Sequence, residues 1–363
     1  MLSFKLRHAF LLASLTFIPA VHASSFDCAS AASPTEKTIC TDPYISSLDE
    51  RLGVLWSQTL ASVADPKALK ADQRQWLKSR NGCAQRIACL RREYLMRIAE
   101  LDYASRPFNW DATWQLIPTG PATASEITTK RRDSAHITFD ISAQEGGNSG
   151  DLSGVALLKG KQADYAEGQC ALRFTAINGI LNISQDGADA DCGGGMGVFY
   201  AGRYVASDQP LKLDYDLLSL GLARSLEEDQ TLRSLLKADY QSLVEFSGSM
   251  MTGDPSVDVP DSQIVEMWMR GLGATAMFMS TPDSRFWVMV MAYDGQGKPH
   301  VRYYSNAPQW KTRLPDVMQS WYQRRSGETT LPLDFMPSHF KSQTKPHESP
   351  QPAVPRRPPG PSA

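Results

Sequence analysis

The sequence predicts a multi-domain protein: an all-α helical bundle stapled by disulfides, then an antiparallel β-sandwich or barrel, then an α+β unit. Three observations predict this. Proline-capped amphipathic segments with four cysteines among them fill the stretch from Phe26 to Ser105; from Asn109 onward the apolar residues follow a period of two; after Ala206 helical and strand patterns are mixed. At 363 residues the chain is also longer than one core commonly serves, since domains cluster near roughly 100 to 150 residues.

Residues 1–23 follow the pattern of an export leader. Lys5 and Arg7 give a positive start, Ala9 to Phe17 an apolar run, and Val21-His22-Ala23 small residues for cleavage, so the mature chain is expected to begin near Ser24. The apolar run is shorter than the ~20 residues a bilayer span needs, and no membrane span is expected after leader removal. All six cysteines, Cys28, Cys40, Cys83, Cys89, Cys170 and Cys192, lie beyond the leader, and an even number suits full pairing in an oxidising compartment. The expected location is therefore periplasmic or secreted. A net charge of −2 lacks the basic excess of a nucleic-acid binder.

In the first unit, residues 24–106, Ser33-Pro34-Thr35-Glu36 reads as a capping box opening a short helix to about Cys40. Asp42-Pro43 and Asp65-Pro66 repeat the device of an acidic cap followed by proline. Ile45, Leu48, Leu52 and Leu55, then Leu69, Trp76 and Leu77, then Ile87, Leu90, Tyr94, Ile98 and Leu101 recur at helical spacing. Three amphipathic helices and a leading turn make a small up-down-up bundle, which brings the four cysteines to one end. Spacing favours local bridges, Cys28 with Cys40 and Cys83 with Cys89, while Cys40 with Cys83 fits the same topology.

Phe26-Asp27-Cys28, Glu36, Ile39-Cys40, Leu48-Asp49, Leu52, Gln73, Trp76-Leu77, Arg80, Cys83, Cys89-Leu90, Tyr94 and Arg97-Ile98 together resemble the N-terminal domain of the lysozyme-inhibitor LprI family. The resemblance covers about a quarter of the chain and implies an exported helical domain, with binding and blocking of lysozyme as one attested role. Gln73, Trp76 and Arg80 belong to that motif. Read from the residues themselves, Trp76 packs in the bundle and Arg80 caps or pairs near the cysteine end.

Residues 110–205 alternate in Ala135–Ile141, Leu152–Leu158, Cys170–Phe174 and Ile180–Ile183, with turn residues such as Glu145-Gly146-Gly147-Asn148 between them. Many short punctuated strands predict the sandwich or barrel, with Cys170 and Cys192 as its disulfide. Cys192-Gly193-Gly194-Gly195-Met196-Gly197 lacks the following helix and lysine of a phosphate loop, so it reads as a structural turn. The run Cys192 to Tyr204 resembles a region found beside this helical domain in longer exported proteins.

In residues 206–335, Leu217–Phe246 reads as helical. Val265–Leu272, Ala274–Met279, Phe286–Ala292 and His300–Tyr304 read as strands, and Leu314–Arg324 as a helix. Methionine pairs at Met267/Met269, Met277/Met279 and Met289/Met291 could ligate cuprous ion, but the apolar residues between them argue for core filling. Lys341–Ala363 is proline-rich and is expected to stay disordered.

No metal-ligand spacing accompanies His136 or His300, and no nucleophile elbow is present. The sequence thus predicts no cofactor, no metal site and no enzyme activity. Two functions follow: a lysozyme-inhibitor-like protein that blocks a muramidase, or a periplasmic structural or interaction protein of the cell envelope that does not inhibit lysozyme. The partner in either case is another exported protein.

Overall fold

The computed structural model describes residues 25–327 and 330–337. The expected leader, 1–23, and proline-rich tail, 341–363, lie outside the described residues. Within them, an N-terminal helical region is followed by an eight-stranded antiparallel barrel and a mixed region with a six-stranded sheet.

A short 3-10 turn at Cys28–Ser30 leads into α1 (Pro34–Thr41), α2 (Pro43–Ser62), α3 (Pro66–Gly82) and α4 (Ile87–Ala104). Ser33 and Glu36 form both halves of a capping box, and Asp42 and Asp65 accept from the amides of Ile45 and Ala68. α2 and α4 run parallel, because Asp42 meets Arg91, Asp49 meets Tyr94 and Thr59 meets the Leu101 carbonyl. α3 connects them and runs antiparallel to α4, with Asp72 meeting Arg97 and Arg80 meeting Tyr94. Disulfides join Cys28 to Cys40 and Cys83 to Cys89, so each closes locally. Cys40 stands beside Asp42 and Cys89 beside Arg91, which puts both bridges at one end.

The barrel comprises β1 (Ala112–Leu116), β2 (Thr123–Arg131), β3 (His136–Glu145), β4 (Asn148–Lys159), β5 (Gln162–Glu167), β6 (Cys170–Ile177), β7 (Ile180–Asp186) and β8 (Gly202–Ala206). Closure comes from β8, which pairs antiparallel with both β7 and β1, and this decides between the two architectures the alternation allowed. The interior is a packed core that includes Trp114, Ile127, Phe139, Ile141, Phe174 and Tyr204. Gly154 lies opposite Phe139, where a Cβ would fall 2.6 Å from the Tyr165 ring; its absence admits the edge-to-face Phe139–Tyr165 pair. Cys170 bonds Cys192 and so fixes the glycine loop, in which Gly194 bridges to Gly150.

The barrel docks on the helices through the β6–β7 turn. Gly179 donates to the Ala104 carbonyl at the end of α4, and a side chain there would meet the Tyr103 carbonyl at 2.4 Å. Asn178 beside it exchanges two bonds with the backbone of Asp65, at the start of α3. Ile117, Ile180 and Val205 then complete the core of the helical region.

The mixed region contains α5 (Leu226–Leu236), α6 (Asp239–Phe246), β9 (Ser249–Gly253), β10 (Gln263–Trp268), β11 (Thr275–Ser280), β12 (Phe286–Tyr293), β13 (Pro299–Ser305), α7 (Asp316–Ser326) and β14 (Leu333–Phe335). Its sheet runs β14-β13-β12-β11-β10-β9 and is antiparallel except for the pair of β13 with β14. One face packs on α5, α6 and Leu217–Ala223, the other on α7, so β11 is buried throughout. Met277, Met279, Met289 and Met291 share the α7 face with Trp287 and Trp321, whereas Met267 lies on the other face.

Three expectations need correction here. Leu217–Phe246 is not one helix: Asp216 and Ser219 bond each other's backbone, Gly221 takes a positive φ of 77°, and Lys237 at φ 51° separates α5 from α6. The strand expected to reach Leu272 stops at Trp268, because Gly271 turns the chain at φ 71°. β9 and β14 carry too little apolar alternation to be read as strands.

Candidate functional site

One cavity, of about 220 Å³, opens where α3, α4 and the barrel meet. α3 contributes Asp72, Gln75, Trp76 and Ser79; α4 contributes Glu93, Met96, Arg97 and Glu100, at helical spacings of three and four that place them on one face. Ile117 and Thr119 follow β1, and Gly202 and Arg203 open β8. Gly202 is needed there, since a Cβ would approach the Leu116 side chain to 2.5 Å.

Two guanidiniums and two carboxyl groups form the floor. Arg203 grips Asp72 with both terminal nitrogens, at 2.7 and 2.9 Å. Arg97 donates to Asp72 at 2.7 Å and to Glu100 at 2.5 Å from the same nitrogen. Arg203 Nε lies 2.9 Å from Glu100 Oε1 without the alignment of a hydrogen bond, so that contact is an ion pair. Fork geometry of this kind is what guanidinium supplies and ammonium does not. Burial opposes ionisation of Asp72, but the bonds and charge of Arg203 and then Arg97 outweigh it and hold the carboxyl below its ordinary range. Glu100 is more deeply enclosed, and burial pushes its carboxyl up against the pull of Arg203 and Arg97.

Around the floor, Trp76 and Met96 are half-buried and Ile117 is buried, giving an apolar wall. Glu93 shares the wall and is also half-buried; burial and then the charge of Glu100 raise its carboxyl above the usual value.

The motif residues support this arrangement from behind. Gln73 accepts two bonds from Arg97, at 2.7 and 2.9 Å, which aim the guanidinium at the floor. Trp76 donates from its indole to the Glu93 carbonyl and meets Tyr94 edge to face at 5.4 Å. Arg80 stacks 5.5 Å from the Trp76 ring and donates to the Tyr94 hydroxyl, which donates in turn to Asp49. His136 pairs with Asp133 at the start of β3, and His300 faces Asp334 from β13, so the two histidines belong to different regions. Among the described residues no group of three or more His, Cys, Asp or Glu is placed to hold a metal ion.

Sequence reasoning named Gln73, Trp76 and Arg80 but missed Asp72, Glu93 and Glu100. A usable signal existed: Glu93, Arg97 and Glu100 share a helix face with the apolar Met96, an unusual density of charge beside a core stripe. Arg203 comes from another region, and no local pattern announces it.

Fold and site together define a multi-domain, disulfide-bonded protein with a charge-floored pocket at the junction of its helical region and its barrel. Its helical segment has an LprI-like relationship. The chain is 34% identical over 83 residues to lipoprotein LprI of Mycobacterium tuberculosis (strain ATCC 25618 / H37Rv), a span covering 22% of this chain and 42% of that protein. Lipoprotein LprI of Mycobacterium bovis (strain ATCC BAA-935 / AF2122/97) matches to the same extent. The chain thus spans less than half the length of these curated relatives. No family model matches, and no solved structure matches. Three disulfides are the chemistry of an oxidising compartment, and no described helix is long and apolar enough to cross a membrane.

Proposed function

We propose that this chain is an exported, non-enzymatic binding protein whose helical region engages a muramidase and covers its substrate cleft. The observation that carries this reading is the similarity over 83 residues to lipoprotein LprI, together with the role the LprI resemblance implies. Supporting it, the floor of the pocket is a network of paired arginines and carboxyls, an arrangement suited to holding a shaped surface. With a net charge of only −2, attraction to a basic muramidase has to come from a local surface and not from the overall field. The chain is proposed to act in the periplasm or outside the cell after removal of residues 1–23.

The test is a turbidity assay in which the full chain is added to bacterial cell walls and a muramidase over a concentration series. Slowed lysis at micromolar protein is expected. Unchanged lysis, in a series where an established inhibitor works, would sink the reading for that muramidase class. The alternative, an envelope interaction protein that leaves lysozyme alone, draws on a specific observation: part of the pocket lining, Gly202 and Arg203, comes from the barrel. It predicts capture of an exported partner with lysis unaffected.

A further inference from the structure

The pocket holds a carboxyl group that the pairing of its floor leaves out. Five ionisable side chains line it: the guanidiniums of Arg97 and Arg203, and the carboxylates of Asp72, Glu93 and Glu100. The four floor groups pair with one another, two guanidiniums against two carboxyls. Glu93 is left over. Its side chain makes no hydrogen bond or ion pair with any described residue, although Arg92 next to it in sequence exerts a modest attraction. A half-buried carboxylate in this position has lost part of its hydration without gaining a partner, and the upward push on its titration reports that cost.

We propose that the pocket receives a single lysine or arginine side chain from a protein partner, with Glu93 as counter-ion and Trp76, Met96 and Ile117 along the aliphatic stem. This rests on the binding-protein reading above and names the chemistry of its contact. Three features select the occupant. The size is right for one side chain: about 220 Å³ lies below the ~300 Å³ at which small-molecule pockets begin, too little for a folded segment. The sign is right, because an anion would meet the Glu93 carboxyl and guanidiniums already engaged by Asp72 and Glu100. The wall is right, since long cationic side chains lay their methylenes on apolar surface while the head seeks charge, and an aromatic face adds attraction of its own. A neutral alkyl chain would use the wall and leave Glu93 unpaired.

The probes are Nα-acetyl-lysine methylamide, its arginine and norleucine counterparts, and Nα-acetyl-glutamate methylamide, titrated into the full chain and followed by the NMR signal of the Trp76 indole, assigned with Trp76→Phe. The lysine and arginine probes are expected to shift that signal saturably, and the norleucine probe to bind about tenfold more weakly, the low end for a charge-assisted hydrogen bond. Glu93→Gln is expected to abolish the difference without lowering the unfolding temperature. Equal affinity for lysine and norleucine, preference for glutamate, no saturable shift at the solubility limit, or unchanged lysine affinity in Glu93→Gln would each overturn the proposal. Lysis assays with Glu93→Gln separate the two inferences. If the variant inhibits as well as the parent, the pocket proposal fails and the muramidase reading stands; if cationic probes bind while lysis is never slowed, the reverse holds.

Discussion

Replacing Arg203 with methionine should destabilise the fold by about 2 to 3 kcal/mol at pH 7. The arginine makes two bonds to Asp72 and an ion pair to Glu100, and both carboxylates have only 9% of their side-chain surface exposed. Without it, Arg97 alone faces two buried negative charges. Removing one partner of a buried ion pair costs roughly 3 to 5 kcal/mol. Arg203 itself is 24% exposed, so water can reach the stranded groups and the lower figure applies. The charge state gives a second handle. Burial already raises Glu100, and losing a guanidinium raises it further, so its folded form takes up a proton before its unfolded form does. The penalty is therefore largest above that titration and shrinks as pH falls through it, so unfolding is compared at pH 7 and at a lower pH. Adding Glu100→Gln to the variant leaves Asp72 and Arg97 one to one, and should recover part of the loss. Urea unfolding, followed by tryptophan fluorescence and far-ultraviolet dichroism at both pH values, measures all of this. An Arg203→Met chain within about 0.5 kcal/mol of the parent, the scatter of ordinary surface changes, or a double variant less stable than the single, would refute the reasoning.

Acid should weaken the protein through its capping and paired carboxylates. Glu36, Asp65, Asp72, Asp189 and Asp294 are all held below their ordinary range, mainly by backbone amides or, for Asp72, by arginines against burial. The unfolded chain then binds protons first, so stability present above about pH 4 is lost as pH drops further, and a profile flat from pH 6 to pH 3 would contradict the assignment. Replacing Cys170 and Cys192 by alanine opens a bridge of sequence separation 22 and should cost about 3 kcal/mol, read as a lower urea midpoint for the barrel; an unchanged midpoint would show that its closure alone suffices. Gly179→Ala puts a methyl against the Tyr103 and Arg106 carbonyls, and should cost more than about 1 kcal/mol and speed amide exchange at Gly179 and Asp65. Parent-like exchange in that variant would mean the contact carries no docking energy.

Much of the fold can be read locally, because its devices are local. Ser33 to Glu36, Asp42-Pro43 and Asp65-Pro66 are complete within a few residues, and they open α1, α2 and α3. Period-two alternation announces β3, β4, β6 and β7, while closure of the barrel depends on β8 meeting β1 across some ninety residues of chain, which no window contains. The helix expected from Leu217 fails for the opposite reason. Its leucines are apolar and well spaced, but Asp216, Ser219 and Gly221 offer the backbone competing bonds and a left-handed turn. At the pocket, Trp76 and Gln73 stand out as types, whereas Glu93 shows only as one more charge on the Met96 face of α4, and the segments that join it at the pocket come from distant parts of the chain.

Arg91 gives one consequence beyond the pocket. On α4, two residues after Cys89, it is 1% exposed, bonds Asp42 at 2.7 Å and reaches into the mixed region to the carbonyls of Leu218 and Ala223. Six residues further along the same helix, Arg97 begins the network that holds Arg203 of the barrel. One rod of hydrogen-bonded backbone therefore carries anchors for both of its neighbours, as an axle carries two wheels. Fraying α4 would release both at once. The free energy of docking the barrel and that of docking the mixed region are thus tied to the same helix, and a substitution at Leu218 has a mechanical route to a pocket it never touches.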